Sequence, residues 1–112
     1  MLNNCVLVVS DLHCGSIFGM LPPNFETSEG VPKPQNPAQK YLWECWEHYL
    51  ERVEEIKSHV TAVVLNGDLV DGAQQAQRGS ELALPILFDQ SQAVIETLRP
   101  LFLITGRAKW YS

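Results

Sequence analysis

Two aliphatic runs in this chain stop abruptly in acidic loops, and that pairing restricts the fold more than anything else in the sequence. Val6–Val9 runs into "SDLHCG", which carries Asp11 and His13. Ala62–Leu65 runs into "NGDLVDG", which carries Asp68 and Asp71. Short runs without polar alternation suit strands buried on both faces of a sheet. Such strands pair in parallel, and a parallel pair needs a long crossover, usually a helix.

The intervening sequence supplies one. Leu42, Cys45, Trp46, Tyr49, Leu50, Val53 and Ile56 recur at three- and four-residue steps and form one apolar stripe. Asn36 is suited to cap this helix and Pro37 to open it. The aromatics Tyr41, Trp43, Trp46 and Tyr49 are expected to pack the helix on the sheet. A second helix is expected from Leu82 or Pro85 to Leu98, with Ile86, Leu87, Val94, Ile95 and Leu98 as its apolar positions. Leu101–Ile104 reads as a third strand, ending at Thr105 and Gly106. The order strand, loop, helix, strand, helix, strand gives an α/β fold with a mainly parallel sheet and helices on its faces.

Gly15–Pro37 interrupts this pattern. It holds Pro22, Pro23, Pro32, Pro34 and Pro37, with Gly19 and Gly30 among them. Prolines lack a donor and fix φ, so the segment is a long loop. Loops of that length are either functional or loosely held, and the expectation divides between a lid and a floppy insertion.

At 112 residues the chain is read as a single domain, residues 1–112, with the Pro/Gly-rich insertion at 15–37. The formal net charge of -5 argues against passive binding to nucleic acid or anionic membranes, which need basic patches. It leaves phosphate chemistry open, because metal ions can supply positive charge. Three cysteines, Cys5, Cys14 and Cys45, are no disulfide framework. No signal peptide and no apolar stretch of the ~20 residues that span a bilayer is apparent. The expected setting is reducing and cytoplasmic, without a membrane.

In open α/β sheets, sites form beyond the carboxyl ends of the strands. Both acidic loops are therefore expected at one sheet edge. Asp11 and His13 are two residues apart, so in an extended chain their side chains leave on one face. Gly67 permits a tight turn before Asp68. Two carboxylates and an imidazole make a mixed oxygen and nitrogen ligand set that suits Mn, Zn or Fe. A carboxylate can also bridge two ions, and paired ions about 3.5–4 Å apart clamp the oxygens of a phosphoryl transfer.

Other residues have plainer readings. Cys45 and His48 lie one helical turn apart, and a core cysteine with a boundary histidine fits them better than a metal pair. His59 near the helix end suits the negative end of the dipole. Cys14 is read as a buried thiol. Arg78, Arg107 and Lys109 are read as solvated surface charges before phosphate contacts.

The two loops resemble the motifs of the calcineurin-like metallophosphoesterases. The first motif, Asp-x-His after a strand, is matched by Asp11 and His13. The second, Gly-Asp-x-x-Asp, is matched by Gly67, Asp68 and Asp71. The resemblance is closest to the branch carried by phages and mobile elements, where a Pro-rich insertion follows the first motif. Gly72 stands where the protein phosphatases of that superfamily have Arg. The resemblance implies a two-sheet sandwich of which this chain forms the N-terminal half. It implies that Asp11 and His13 bind one metal, that Asp68 bridges to a second, and that Asp71 sits behind them and orients a catalytic histidine. The implied cofactors are two divalent ions (Mn, Zn, Fe or Mg), with one or none held by this chain alone. The implied activity is hydrolysis of phosphomonoesters or phosphodiesters, including nucleic-acid ends. The third motif, Gly-Asn-His or Gly-Thr with a following His, is not found in "TGRAKWYS". The alternative expectation is accordingly an inactive homologue that serves as a binding or assembly module. An incomplete sandwich is further expected to form a homo-oligomer or to be completed by another segment.

Overall fold

A computed structural model of the chain describes residues 3–72 and 82–112. Its first strand, β1 (Cys5–Val9), is followed by a short antiparallel pair, β2 (Phe25–Glu26) and β3 (Pro32–Lys33). Helix α1 (Pro37–Ile56) passes through a 3-10 turn (Lys57–His59) into β4 (Val60–Leu65). Helix α2 (Leu87–Thr105) leads to β5 (Lys109–Tyr111). The result is a small α/β domain built on one three-stranded parallel sheet in the order β1-β4-β5.

Helix α1 begins where its cap dictates. The Asn36 side chain accepts from the Gln39 N–H at 2.8 Å, and the Gln39 side chain accepts from the Asn36 N–H at 2.9 Å. This reciprocal box satisfies two donors that the first turn leaves open. Trp46 and Val53 are buried along the stripe, while Leu42, Trp43, Tyr49, Leu50 and Ile56 pack partly against the core. Cys45 and His48 do not follow expectation, for both are exposed, with Cys45 on the flank of the stripe. His48 faces Glu51 at 3.7 Å instead. Tyr41 is exposed too and takes no part in the packing.

Both crossovers step the same way across the sheet. Right-handed connections then place both helices on one face. The Trp46 indole N–H, donating to the Thr97 carbonyl at 3.1 Å, joins α1 to α2 there. Leu7, Val9 and Val63 point into that core beside Val53, Leu98 and Leu101. Among the described residues no element covers the other face, where Val6 and Val8 are 58% and 59% exposed. The expectation of strands covered on both faces is therefore corrected, because three strands and two same-sided helices form only two layers.

The third strand also differs. Leu101–Ile104 is the last part of α2, not a strand, and the helix runs through Pro100. Its buried positions are Asp89, Gln90, Ala93, Thr97, Leu98, Leu101 and Thr105, a three- and four-residue spacing. Ile86, Leu87 and Ile95, expected on the apolar side, are exposed. A proline inside a helix removes one hydrogen bond at a cost of ~3 kcal/mol. The carbonyl that loses its partner is that of Glu96, on the exposed side, while Leu98 and Leu101 keep their core contacts. Packing outweighs local propensity here. Gly106, at φ 54°, ends the helix, and its N–H donates to the Phe102 carbonyl at 3.3 Å.

The loop at 15–37 is neither floppy nor detached. Met20, Leu21 and Phe25 are buried in the core. The Asn36 amide donates to the Ile17 carbonyl at 2.8 Å, the Gln35 amide to Leu21 at 2.6 Å, and the Ser28 N–H to Asp89 at 2.7 Å. Among the described residues no helix is long and apolar enough to cross a membrane.

Candidate metal centre

The two acidic loops lie side by side because the parallel ladder continues past the strands. The Asn66 N–H donates to the Val9 carbonyl at 2.8 Å, and Asp11 N–H to Gly67 at 3.2 Å. His13 N–H donates to Asp68 at 2.9 Å, Cys14 N–H to Leu69 at 2.9 Å, and Asp71 N–H returns to Cys14 at 3.0 Å. Every one of these bonds joins one loop to the other, so the two positions are coupled.

The backbone in these loops is not extended. Asp11, His13 and Asp68 have φ of 59°, 44° and 53°. Left-handed backbone is uncommon outside glycine, and such residues persist only where their surroundings hold them. Period-two alternation along a strand therefore does not bring Asp11 and His13 together. The left-handed turns do, with the ladder as their support. One ligand-type atom from each of Asp11, His13 and Asp68 falls within 4.8 Å of the others.

Asp71 stands behind this trio. Its side chain is 5% exposed and its Oδ1 lies 3.1 Å from His13 Nδ1. A carboxylate only accepts, so in the neutral ring Nδ1 carries the proton. The Nε2 lone pair then points toward Asp11, whose Oδ1 is 3.5 Å away. That is the tautomer a metal-binding imidazole needs. The Ser10 hydroxyl steadies Asp11 by donating to its Oδ2 at 2.8 Å. Among the described residues, neither Asp11 nor Asp68 forms an ion pair with a lysine or arginine. The negative charge at this edge is thus left for a cation.

The remaining candidates fall elsewhere. Cys14 is wholly buried, and burial pushes its thiol up to about 12, against a smaller opposing effect from the Thr97 side chain. It packs as a core thiol, and its sulfur does not fall in the group formed by Asp11, His13 and Asp68. His59 lies in the 3-10 turn at the far end of α1. Lys109 pairs with Ala62 near the start of β4, so it and Arg107 lie at the amino edge of the sheet, away from the trio. The segment after Gly106 thus leads into a strand, not out of one. Its lack of Asn and His is therefore a property of a strand entrance and not of a carboxyl-end loop. Arg78 lies outside the described residues.

Two residues give no signal in the sequence that would have marked them. Gln90, wholly buried in the first turn of α2, hydrogen-bonds Gly72 beside Asp71. Phe18 stands exposed on the Pro-rich loop and lines the same cavity as Asp11 and His13. Both lie on segments whose local pattern reads only as amphipathic helix or as loop.

Comparison with protein-family models, with curated proteins and with solved structures finds no match to this chain.

Proposed function

We propose that the chain is a metal-dependent phosphoesterase homologue of the calcineurin-like kind, holding a divalent cation (Mn, Zn, Fe or Mg) with Asp11, His13 and Asp68. The observation that carries this reading is the meeting of three ligand-type atoms within 4.8 Å from two separate loops. Three left-handed residues in sequence-distant loops are costly to hold, and such strain gathers at functional sites. The donor set fits the ion: hard carboxylate oxygens, one imidazole nitrogen and, among the described residues, no lysine or arginine paired with Asp11 or Asp68. A bound ion would supply Lewis acidity toward a phosphoryl oxygen and lower the pKa of its water. The chain's own groups have separate tasks. Asp11 and Asp68 provide charge, His13 provides Nε2, and Asp71 fixes the ring and its proton.

A second reading, a non-catalytic binding or assembly module, is favoured by the bare Val6 and Val8 face and by the absence of a second imidazole beside the trio among the described residues. Association with another copy or another segment would cover that face.

Calorimetric titration with Mn²⁺ tests the metal reading directly. The wild-type chain is expected to bind, and Asp68→Asn to bind at least about tenfold more weakly. Equal binding by both, or none by either, would sink it. Hydrolysis of bis-p-nitrophenyl phosphate in the same samples separates enzyme from module. Turnover abolished by Asp68→Asn supports the enzyme, and metal binding without turnover supports the module.

A further inference from the structure

The cavity beside Asp11 and His13 is mostly apolar. Its volume of about 660 Å³ is that of a small-molecule site. Ser10, Asp11, His13 and Asp71 form one part of the wall. Phe18, Met20, Leu42, Trp46 and Tyr49 form much of the rest. A site for inorganic phosphate alone would have no use for that second part.

Phe18 is the informative residue. It lines the cavity yet remains 63% exposed. Its loop is tied down on both sides. Phe18 N–H donates to Ser16 Oγ at 3.1 Å, Gly19 N–H to the Ser16 carbonyl at 3.1 Å, and Met20 N–H to the Leu12 carbonyl at 2.9 Å. Gly19 lies directly on the His13 main chain, where a Cβ would sit 2.0 Å from the carbonyl oxygen. Only glycine permits that approach, and it holds the residue after Phe18 against the His13 main chain. On the same cavity the Trp46 and Tyr49 rings stack with centroids 5.2 Å apart and planes 21° from parallel. An aromatic wall and an aromatic rim are thus built beside an acidic, cation-seeking trio.

We propose that this cavity receives an aromatic group joined to phosphate, the ring lying against Phe18 while the phosphate meets the cation at Asp11, His13 and Asp68. The proposal rests on the metal reading above. It names the substrate class that reading leaves open: aryl phosphates, in preference to small alkyl phosphates. Aromatic pairs contribute about 0.5–1.5 kcal/mol beyond the area they bury, so ring recognition should be visible in affinity.

Calorimetry of the Mn²⁺-loaded chain with phenyl phosphate, butyl phosphate, methyl phosphate and phenol tests it. Phenyl phosphate is expected to bind at least about tenfold more tightly than methyl phosphate. Phe18→Ala should erase most of that preference while leaving Mn²⁺ affinity and the circular dichroism spectrum unchanged, because the side chain is mainly exposed. Equal affinity for phenyl and methyl phosphate, with Mn²⁺ bound, would overturn this proposal and leave the metal reading intact. So would butyl phosphate matching phenyl phosphate, or phenol matching it. Absence of Mn²⁺ binding by the wild-type chain would overturn both.

Discussion

Gln90 holds Gly72 by both polar groups of that residue's main chain. Its Oε1 accepts from the Gly72 N–H at 2.9 Å, and its Nε2 donates to the Gly72 carbonyl at 3.1 Å and to the Leu84 carbonyl at 2.8 Å. Gly72 follows Asp71 directly. On its other side Gln90 lies against Gly15, where a Cβ would come within 2.5 Å of Gln90 Cδ. One buried amide from α2 therefore braces both acidic loops.

Gln90→Leu keeps the bulk of this side chain and removes its hydrogen bonds. The main-chain groups it satisfied would be left unpaired, at about 1–3 kcal/mol each where they stay buried. A loss of about 2–4 kcal/mol in stability is expected, read as a lower urea midpoint. Mn²⁺ affinity should fall with it, because the loops share one ladder. A stability change below about 0.5 kcal/mol would show that Gln90 is not the brace.

Asp71→Asn addresses the proton on His13. The carboxylate at 3.1 Å fixes Nδ1 as the donor, whereas an amide can present either its oxygen or its NH₂ group. Partners of this kind set metal affinity by about 10–100-fold when altered. A loss of about tenfold or more in Mn²⁺ affinity is expected, with the melting temperature nearly unchanged. Unaltered affinity would mean that Asp71 does not orient the ring.

The sequence displayed the parts of this fold that depend on local chemistry. Asn36 and Pro37 mark the start of α1 because capping is a matter of a few adjacent atoms. The two aliphatic runs mark β1 and β4, and parallel pairing follows from the helix between them. What stayed hidden depends on tertiary packing. Leu101–Ile104 looks like a strand because four consecutive apolar residues after a proline have no visible period. Only the burial of Ala93, Thr97, Leu101 and Thr105 on one side reveals the helix. The site was legible as residue types but not as geometry. "SDLH" and "GDLVD" name the ligand candidates, while the left-handed turns that bring Asp11 and His13 together are set by hydrogen bonds to the distant Gly67 and Asp68.

Pro100 gives this tension a measurable form. It sits within α2 while the flanking Leu98 and Leu101 are buried. Pro100→Ala restores a donor to the Glu96 carbonyl and improves helix propensity by up to ~3 kcal/mol. It also frees the unfolded chain, which offsets about 0.4–1 kcal/mol of that gain. A net stabilisation of about 1–2 kcal/mol is expected, seen as a raised urea midpoint. Destabilisation would indicate that a kink at Pro100 is needed to seat α2 on the sheet.

Cys14 allows a prediction with pH as the variable. Its thiol is pushed up to about 12, chiefly because burial disfavours the thiolate. The unfolded chain should ionise it near the ordinary value of about 8.5. The folded state therefore binds the proton more tightly than the unfolded state. Stability from this group is complete below pH ~8.5 and is lost as pH rises toward 12. Tyr49 is also raised by burial and slopes the same way, but only from about pH 10, the ordinary tyrosine value. The interval between pH 8.5 and 10 thus isolates Cys14. Chemical denaturation across that interval should show stability falling in the wild-type chain and a flatter profile in Cys14→Ala. In a chain carrying Cys5→Ser and Cys45→Ser, Ellman's reagent should label Cys14 at least about a hundredfold more slowly in the folded protein than in the urea-unfolded chain at the same pH. Labelling of the folded protein at nearly the unfolded rate would show an accessible thiol at position 14, and would bring that sulfur back among the candidate ligands beside His13.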